Sequence, residues 1–131
     1  MTLDRRRILG GAGTLIAAEL ASSACGRAPA VSLRPGQAAV AAADLAGGRR
    51  VVVAIGENPV EVFRDGGTVV ARMLRCTHSG CVVRWNGDAR VYVCPCHDGR
   101  FDENGRVVAG PPPAPLRRLP VALAGDRVIV G

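Results

Sequence analysis

Four of the five cysteines and both histidines of this 131-residue chain fall between residues 76 and 97, in two short runs. The first run reads Cys76-Thr77-His78-Ser79-Gly80-Cys81, and the second reads Cys94-Pro95-Cys96-His97-Asp98-Gly99-Arg100-Phe101. Each offers one Cys and one His at short spacing, Cys-x-His and then Cys-x-x-His, and each carries one further Cys, Cys81 or Cys96. Thiolate and imidazole pairs so spaced are metal-ligand chemistry, and a tetrahedral Cys2His2 zinc site would use the same four residues. Zinc, however, gives no account of why Cys81 and Cys96 stand at matching places. Two structural disulfides beside two incidental histidines are a further reading. Cys94-Pro95-Cys96-His97 is one residue short of the Cys-x-x-Cys-His haem attachment, and its Cys-x-Cys is not the thioredoxin spacing.

What surrounds the runs is β-structure by pattern. Short β-branched segments, Arg50 to Ile55, Val60 to Arg64, Thr68 to Leu74, Val82 to Trp85, Arg90 to Val93, Arg106 to Val108, Leu119 to Leu123 and Arg127 to Val130, alternate with Gly- and Asn-rich turn signals. No helical period is present beyond residue 50, and only Ala39 to Leu45 suits a short turn of helix. The pattern predicts an all-β domain over residues 38–131, a small antiparallel β-sandwich or barrel. Residues 25–37, rich in Pro, Gly and small side chains, read as a linker. Each Cys/His run begins where a predicted strand ends, at Arg75 and Val93, so the two loops can face one another. The core must come mainly from Val, Leu, Ile and Ala, because aromatics are only 3% of the chain. Phe63, Trp85, Tyr92 and Phe101 are expected to pack in that core or its loops. All 17 basic residues are Arg, scattered in ones and twos, and with so few aromatics the chain lacks the footprint of a nucleic-acid binder.

The two runs resemble the Rieske iron-sulfur motif, Cys-x-His-x-Gly-Cys followed by Cys-x-Cys-His, and the resemblance extends over most of residues 50–131. It implies a Rieske-type fold with two cluster-binding loops and a [2Fe-2S] cofactor. Cys76 and Cys94 would hold one iron, His78 and His97 the other, and Cys81 and Cys96 would form a disulfide tying the loops. Two neutral imidazoles in place of two thiolates leave the oxidised cluster near zero charge, which favours accepting an electron and raises the potential. Gly110-Pro111-Pro112-Pro113-Ala114-Pro115 resembles the family's proline loop, which shields the cluster from a third side. Pro111 is placed there on this resemblance. The same run also suits a plain polyproline connection between strands.

The chain departs from the family's high-potential members, in which a Gly-Ser pair follows the second His and a Tyr stands two residues past the Ser. Those hydroxyls donate hydrogen bonds to sulfur. Here the positions hold Asp98-Gly99 and Phe101, so both donors are missing, and Asp98 adds a negative charge beside His97. A potential below the upper end of the Rieske range of about −150 to +300 mV is expected.

Residues 1–24 read as an address. Arg5-Arg6-Arg7-Ile8-Leu9, preceded by Asp4, resembles the twin-arginine export signal. The apolar stretch from Ile8 to Ala18 is short for a membrane span, and continuing it through Ala24 places Glu19 inside. Ala21-Ser22-Ser23-Ala24-Cys25-Gly26 resembles a lipoprotein cleavage box in which Cys25 becomes the lipidated N-terminus, although Ser22 stands where an aliphatic residue is usual. The twin-arginine route exports folded proteins whose cofactor is already inserted, so the signal and the metal-ligand motif point the same way. A disulfide also suits an exported domain.

Together these features imply a one-electron carrier at the outer face of the cytoplasmic membrane, anchored by lipid or by its N-terminus. It is similar to short exported Rieske proteins of actinobacteria and to the Rieske subunit of the cytochrome bc complex, which oxidises quinol. Its partner would be a cytochrome or an oxidoreductase subunit, with quinol as the small-molecule partner of the bc role. No nucleophile or acid-base carboxylate pair accompanies the motif, so catalysis by the chain alone is not expected. Two other readings stand: the small Rieske subunit of another exported oxidoreductase, and a disulfide- and zinc-stapled binding module with no redox role.

Overall fold

Alternating β-branched residues and tight turns produce eleven strands among residues 30–131, which are the residues the computed structural model describes. The twin-arginine-like run and Cys25 lie outside them. The strands are β1 (Ala38–Ala41), β2 (Val51–Ile55), β3 (Asn58–Asp65), β4 (Thr68–Met73), β5 (Arg84–Asn86), β6 (Val91–Val93), β7 (Arg100–Asp102), β8 (Val107–Ala109), β9 (Arg118–Leu119), β10 (Val121–Ala124) and β11 (Arg127–Val130). They form three antiparallel sheets in the orders β1-β11-β10, β2-β3-β4-β9 and β5-β6-β7-β8. The β3–β4 hairpin pairs Asp65 with Thr68 and turns through Gly66, whose φ of 59° is cheap only for glycine.

Three local expectations are corrected. The stretch Ala39 to Leu45, expected to hold a turn of helix, divides between β1 and a 3-10 segment, Ala42–Gly48. The turn expected at Glu57-Asn58-Pro59 lies earlier, and Pro59 pairs with Ala54 inside β3. The second Cys/His run also contains a strand, β7.

A single sandwich would have one apolar core, whereas this fold has two. Val40, Leu45, Val60, Val62, Ala71, Val128 and Val130 make the first, between the β1-β11-β10 and β2-β3-β4-β9 sheets. Leu74, Cys76, Val83, Tyr92, Cys94, Phe101 and Leu116 make the second. The reason is topological. β9 returns to pair with β4 through Ala71↔Leu119 and Arg72↔Arg118, so residues 74 to 117 form an excursion that carries the β5-β6-β7-β8 sheet and both Cys/His runs.

The strand period explains how the excursion is joined to its base. On β3 and β4, Val60, Val62 and Ala71 point into the first core, which sends Glu61 and Arg72 to the opposite face. Both are only 3% exposed. Tyr92 on β6 donates to Glu61 Oε2 at 2.6 Å and accepts from Arg50 Nη1 and Arg72 Nη1, each at 2.9 Å. Arg50 also pairs with Glu61 at 2.8 Å, and its guanidinium lies 4.0 Å from the Phe63 ring centre and 3.9 Å from that of Trp85. A buried carboxylate is thus paired and hydrogen-bonded, the condition under which burying charge is tolerated.

Candidate metal centre

The first loop grows out of β4 and closes on itself. Arg75 and Val82 form a bridge, the Cys76 N–H donates to the Cys81 carbonyl at 2.8 Å, and the Gly80 N–H donates to the Cys76 carbonyl at 2.9 Å. The second loop joins β6 to β7, where the Cys94 N–H donates to the Gly99 carbonyl at 2.7 Å. These closures leave two sulfurs facing inward and two imidazoles facing out. Cys76 and Cys94 are free and buried, at 4% and 1% exposure, while His78 and His97 are exposed. The two imidazole rings lie 4.8 Å apart at an interplanar angle of 83°. Cys81 and Cys96 form a disulfide across the loops, with Cα atoms 6.5 Å apart.

The four remaining donors fit a cluster with two sulfur and two nitrogen ligands. Burial pushes the Cys76 thiol above its ordinary value, an N–H of His78 pulls it down, and the adjoining Cys94 thiol pushes it up again. A Ser79 N–H also lowers it. Backbone N–H groups aimed at a buried sulfur are a preparation for thiolate, and a bound metal completes the deprotonation. The chemistry of the donor set and the loop closure therefore suit a metal–sulfur group.

The proline run packs against both loops, with Pro112 as its buried contact to the second. Pro111 is exposed, whereas Pro112 is buried. A Cβ placed on Gly99 would meet Pro112 Cγ at 2.7 Å, and one placed on Gly110 would meet the Gly99 Cα at 2.8 Å. With a φ of 82°, Gly110 is doubly required to lack a side chain. Thr77 Oγ1 donates to the Ala114 carbonyl at 2.6 Å, tying the proline run to the first loop. Nothing in the motif pattern marks Thr77 for this role. Phe101 is fully buried in the second core and offers no donor. The Asp98 carboxylate is paired with Arg100 at 3.3 Å, which offsets the negative charge expected beside His97.

The Rieske [2Fe-2S] domain family matches residues 36–120 of the chain. The cytochrome b6-f complex iron-sulfur subunit of Prochlorococcus marinus (strain SARG) is 39% identical over 88 residues, which are 65% of this chain and 49% of that protein. The carotenoid phi-ring synthase of Chlorobaculum tepidum is 49% identical over 73 residues, 56% of this chain but 11% of that protein. The chain thus spans at most about half the length of these curated relatives. Among solved structures, the plasma membrane Rieske protein of Synechocystis superposes with a TM-score of 0.59 at 31% identity, covering 76% of this chain and 99% of that one. A hyperthermophilic respiratory Complex III contains a chain that superposes with a TM-score of 0.58 at 27% identity, covering 73% of this chain and 74% of its own. With the match extending across both loops and the whole second core, the chain belongs to the Rieske [2Fe-2S] domain family, whose cofactor is a [2Fe-2S] cluster.

Proposed function

We propose that this chain is a one-electron carrier in which Cys76 and Cys94 hold one iron of the cluster and His78 and His97 the other. The observation that carries this reading is the division of the donors, a buried thiol pair behind an exposed imidazole pair on two disulfide-joined loops. When bound, the cluster supplies a site that takes and gives up a single electron. The residues do the rest. Cys76, Cys94, Tyr92 and Phe101 keep water from the sulfur side, because all four are buried. His78 and His97 present their rings to a partner and can hold or release a proton at a ring nitrogen, which links electron transfer to protonation there.

The partner reading follows from the relatives. A cytochrome b6-f iron-sulfur subunit shares 39% identity with the chain, so we assign it the role of an iron-sulfur subunit that delivers electrons to a cytochrome and receives them from quinol. The export-like N-terminus supports a position at the outer face of the cytoplasmic membrane, with residues 1–24 as a signal, residues 25–37 as a linker and Cys25 as a lipid attachment point. The 49% identity to a segment of a much larger carotenoid enzyme favours a second reading, in which the chain serves another oxidoreductase as its Rieske component.

Iron and acid-labile sulfide analysis, with paramagnetic resonance of the dithionite-reduced chain, tests the cofactor. Two irons, two sulfides and a Rieske-type signal are expected. One zinc with no signal would replace the electron carrier with a stapled binding module. Stopped-flow oxidation of the reduced chain by a c-type cytochrome then tests the partner.

A further inference from the structure

The sulfur atoms of Cys81, Cys94 and Cys96 all lie within 4.8 Å of one another, although only Cys81 and Cys96 are bonded. A free thiol this close to a disulfide is placed for exchange, which needs no outside oxidant or reductant. We propose that Cys94 is an internal exchange nucleophile toward the Cys81–Cys96 disulfide in the cluster-free chain, so that cluster ligation locks the native pairing and cluster loss releases it. The inference rests on the reading of Cys94 as a ligand.

The step balances within the chain. The Cys94 thiol gives its proton to solvent, its sulfur attacks Cys81 Sγ, the Cys81–Cys96 bond breaks, and the departing Cys96 sulfur takes up a proton. One disulfide is lost and one gained, and the number of thiols is unchanged. Cys81 is the sulfur attacked because bonding to Cys96 would close a Cys-x-Cys ring across Pro95, whereas Cys81–Cys94 still ties one loop to the other. It closes a chain segment almost as long as the native one, so loop entropy offers little resistance. Cys96 is exposed, so the released thiol is solvated, while the attacking Cys94 begins buried. Rearranged loops no longer offer Cys94 to a metal. Reloading with iron and sulfide then waits on the reverse exchange, in which the Cys96 thiol attacks Cys81 and frees Cys94.

The test uses the full chain carrying Cys25→Ala, cluster-loaded and chelator-stripped under anaerobic conditions. Each form is incubated, trapped with N-ethylmaleimide and mapped by tandem mass spectrometry. In the stripped chain, early label is expected on Cys76 and Cys94. With time, label on Cys94 falls several-fold as label on Cys96 rises to match it, with the total per chain constant. A Cys94→Ser chain keeps Cys81 and Cys96 unlabelled throughout. Cys94 fully labelled after a day with Cys81–Cys96 intact, or redistribution that persists in Cys94→Ser, overturns the exchange and leaves the ligand reading standing. A loaded chain whose Cys94 is labelled as fast as in the stripped one contradicts the ligand reading, and the lock with it.

Discussion

Gly99 and Pro112 pack so closely that a Cβ on the glycine would stand 2.7 Å from Pro112 Cγ and 3.5 Å from Cys94 Cβ. The proline run and the second ligand loop therefore interlock at the position where the high-potential relatives carry a serine. Introducing that serine here does more than add a hydroxyl.

Gly99→Ala is expected to destabilise the chain by about 1–3 kcal/mol, the usual range for overpacking a tight site. Pro112→Ala should relieve the clash, so the double variant should melt higher than the sum of the two single effects allows. Thermal denaturation of the four chains checks this. Additive losses would mean that the two loops do not interlock. Gly99→Ser is accordingly an unsuitable probe of the missing hydroxyl, because its effect on potential is mixed with this displacement.

Phe101→Tyr is the cleaner probe. Phe101 shares the second core with Cys94 and is fully buried, so a phenol placed there is desolvated and must find an acceptor. Hydrogen bonds to sulfur favour the reduced state, and each ~1.4 kcal/mol of that preference raises a one-electron potential by about 59 mV. Redox titration should show Phe101→Tyr above the wild type. An unchanged or lower potential would remove the missing hydroxyl as the cause of a moderate value.

The link between the two cores has its own signature. Tyr92, the single tyrosine of the chain, has its hydroxyl pushed above its ordinary value by burial first and by Glu61 second, with Arg72 acting the other way. A raised folded value means that the folded chain holds this proton more tightly than the unfolded one. The resulting stability is complete below about pH 10 and is lost as pH rises through the folded value. Ultraviolet titration should place tyrosinate formation above pH 10, and Tyr92→Phe should flatten the alkaline fall in stability. At neutral pH, Tyr92→Phe is expected to cost about 1–3 kcal/mol, because Glu61 and Arg72 each lose a buried partner. Titration at the ordinary tyrosine value would contradict the buried network.

Joint replacement of Cys81 and Cys96 by alanine releases the tie between residues 15 apart in sequence, worth about 3 kcal/mol for a loop of this length. The loops should then separate more readily, and iron should be lost to a chelator several-fold faster than from the wild type. Equal rates would mean that the hydrogen-bonded loop closures suffice without the disulfide.

Most strands were legible because Val, Ile and Thr cluster between turn residues. β1 escaped because its Ala-Ala-Val-Ala carries little strand signal and is held instead by its partner β11. β7 escaped because Arg100 and Phe101 read as part of the motif. At the site, the two runs made Cys76, His78, Cys94 and His97 visible as donors, and the structure brings both pairs together. The expected disulfide is present. The second core was not legible, since Glu61 and Arg72 occupy strand positions that look like a solvent face and are covered only because residues 74 to 117 fold back across them. Tyr92 was expected to pack, and it does, but its hydroxyl is also the polar joint of the fold. The packing of Pro112 against Gly99 depends on the backbone path there, which residue types alone do not reveal.

The central claim is that His78 and His97 are the nitrogen ligands of the cluster. The chain has only these two histidines, so protein grown with 15N-histidine and reduced with dithionite reports on them alone. Pulsed paramagnetic resonance should show two strongly coupled 15N nuclei, and His78→Ala or His97→Ala should abolish the signal or change it beyond the Rieske type. A reduced cluster whose spectrum carries no strong coupling to labelled histidine would contradict the ligand assignment.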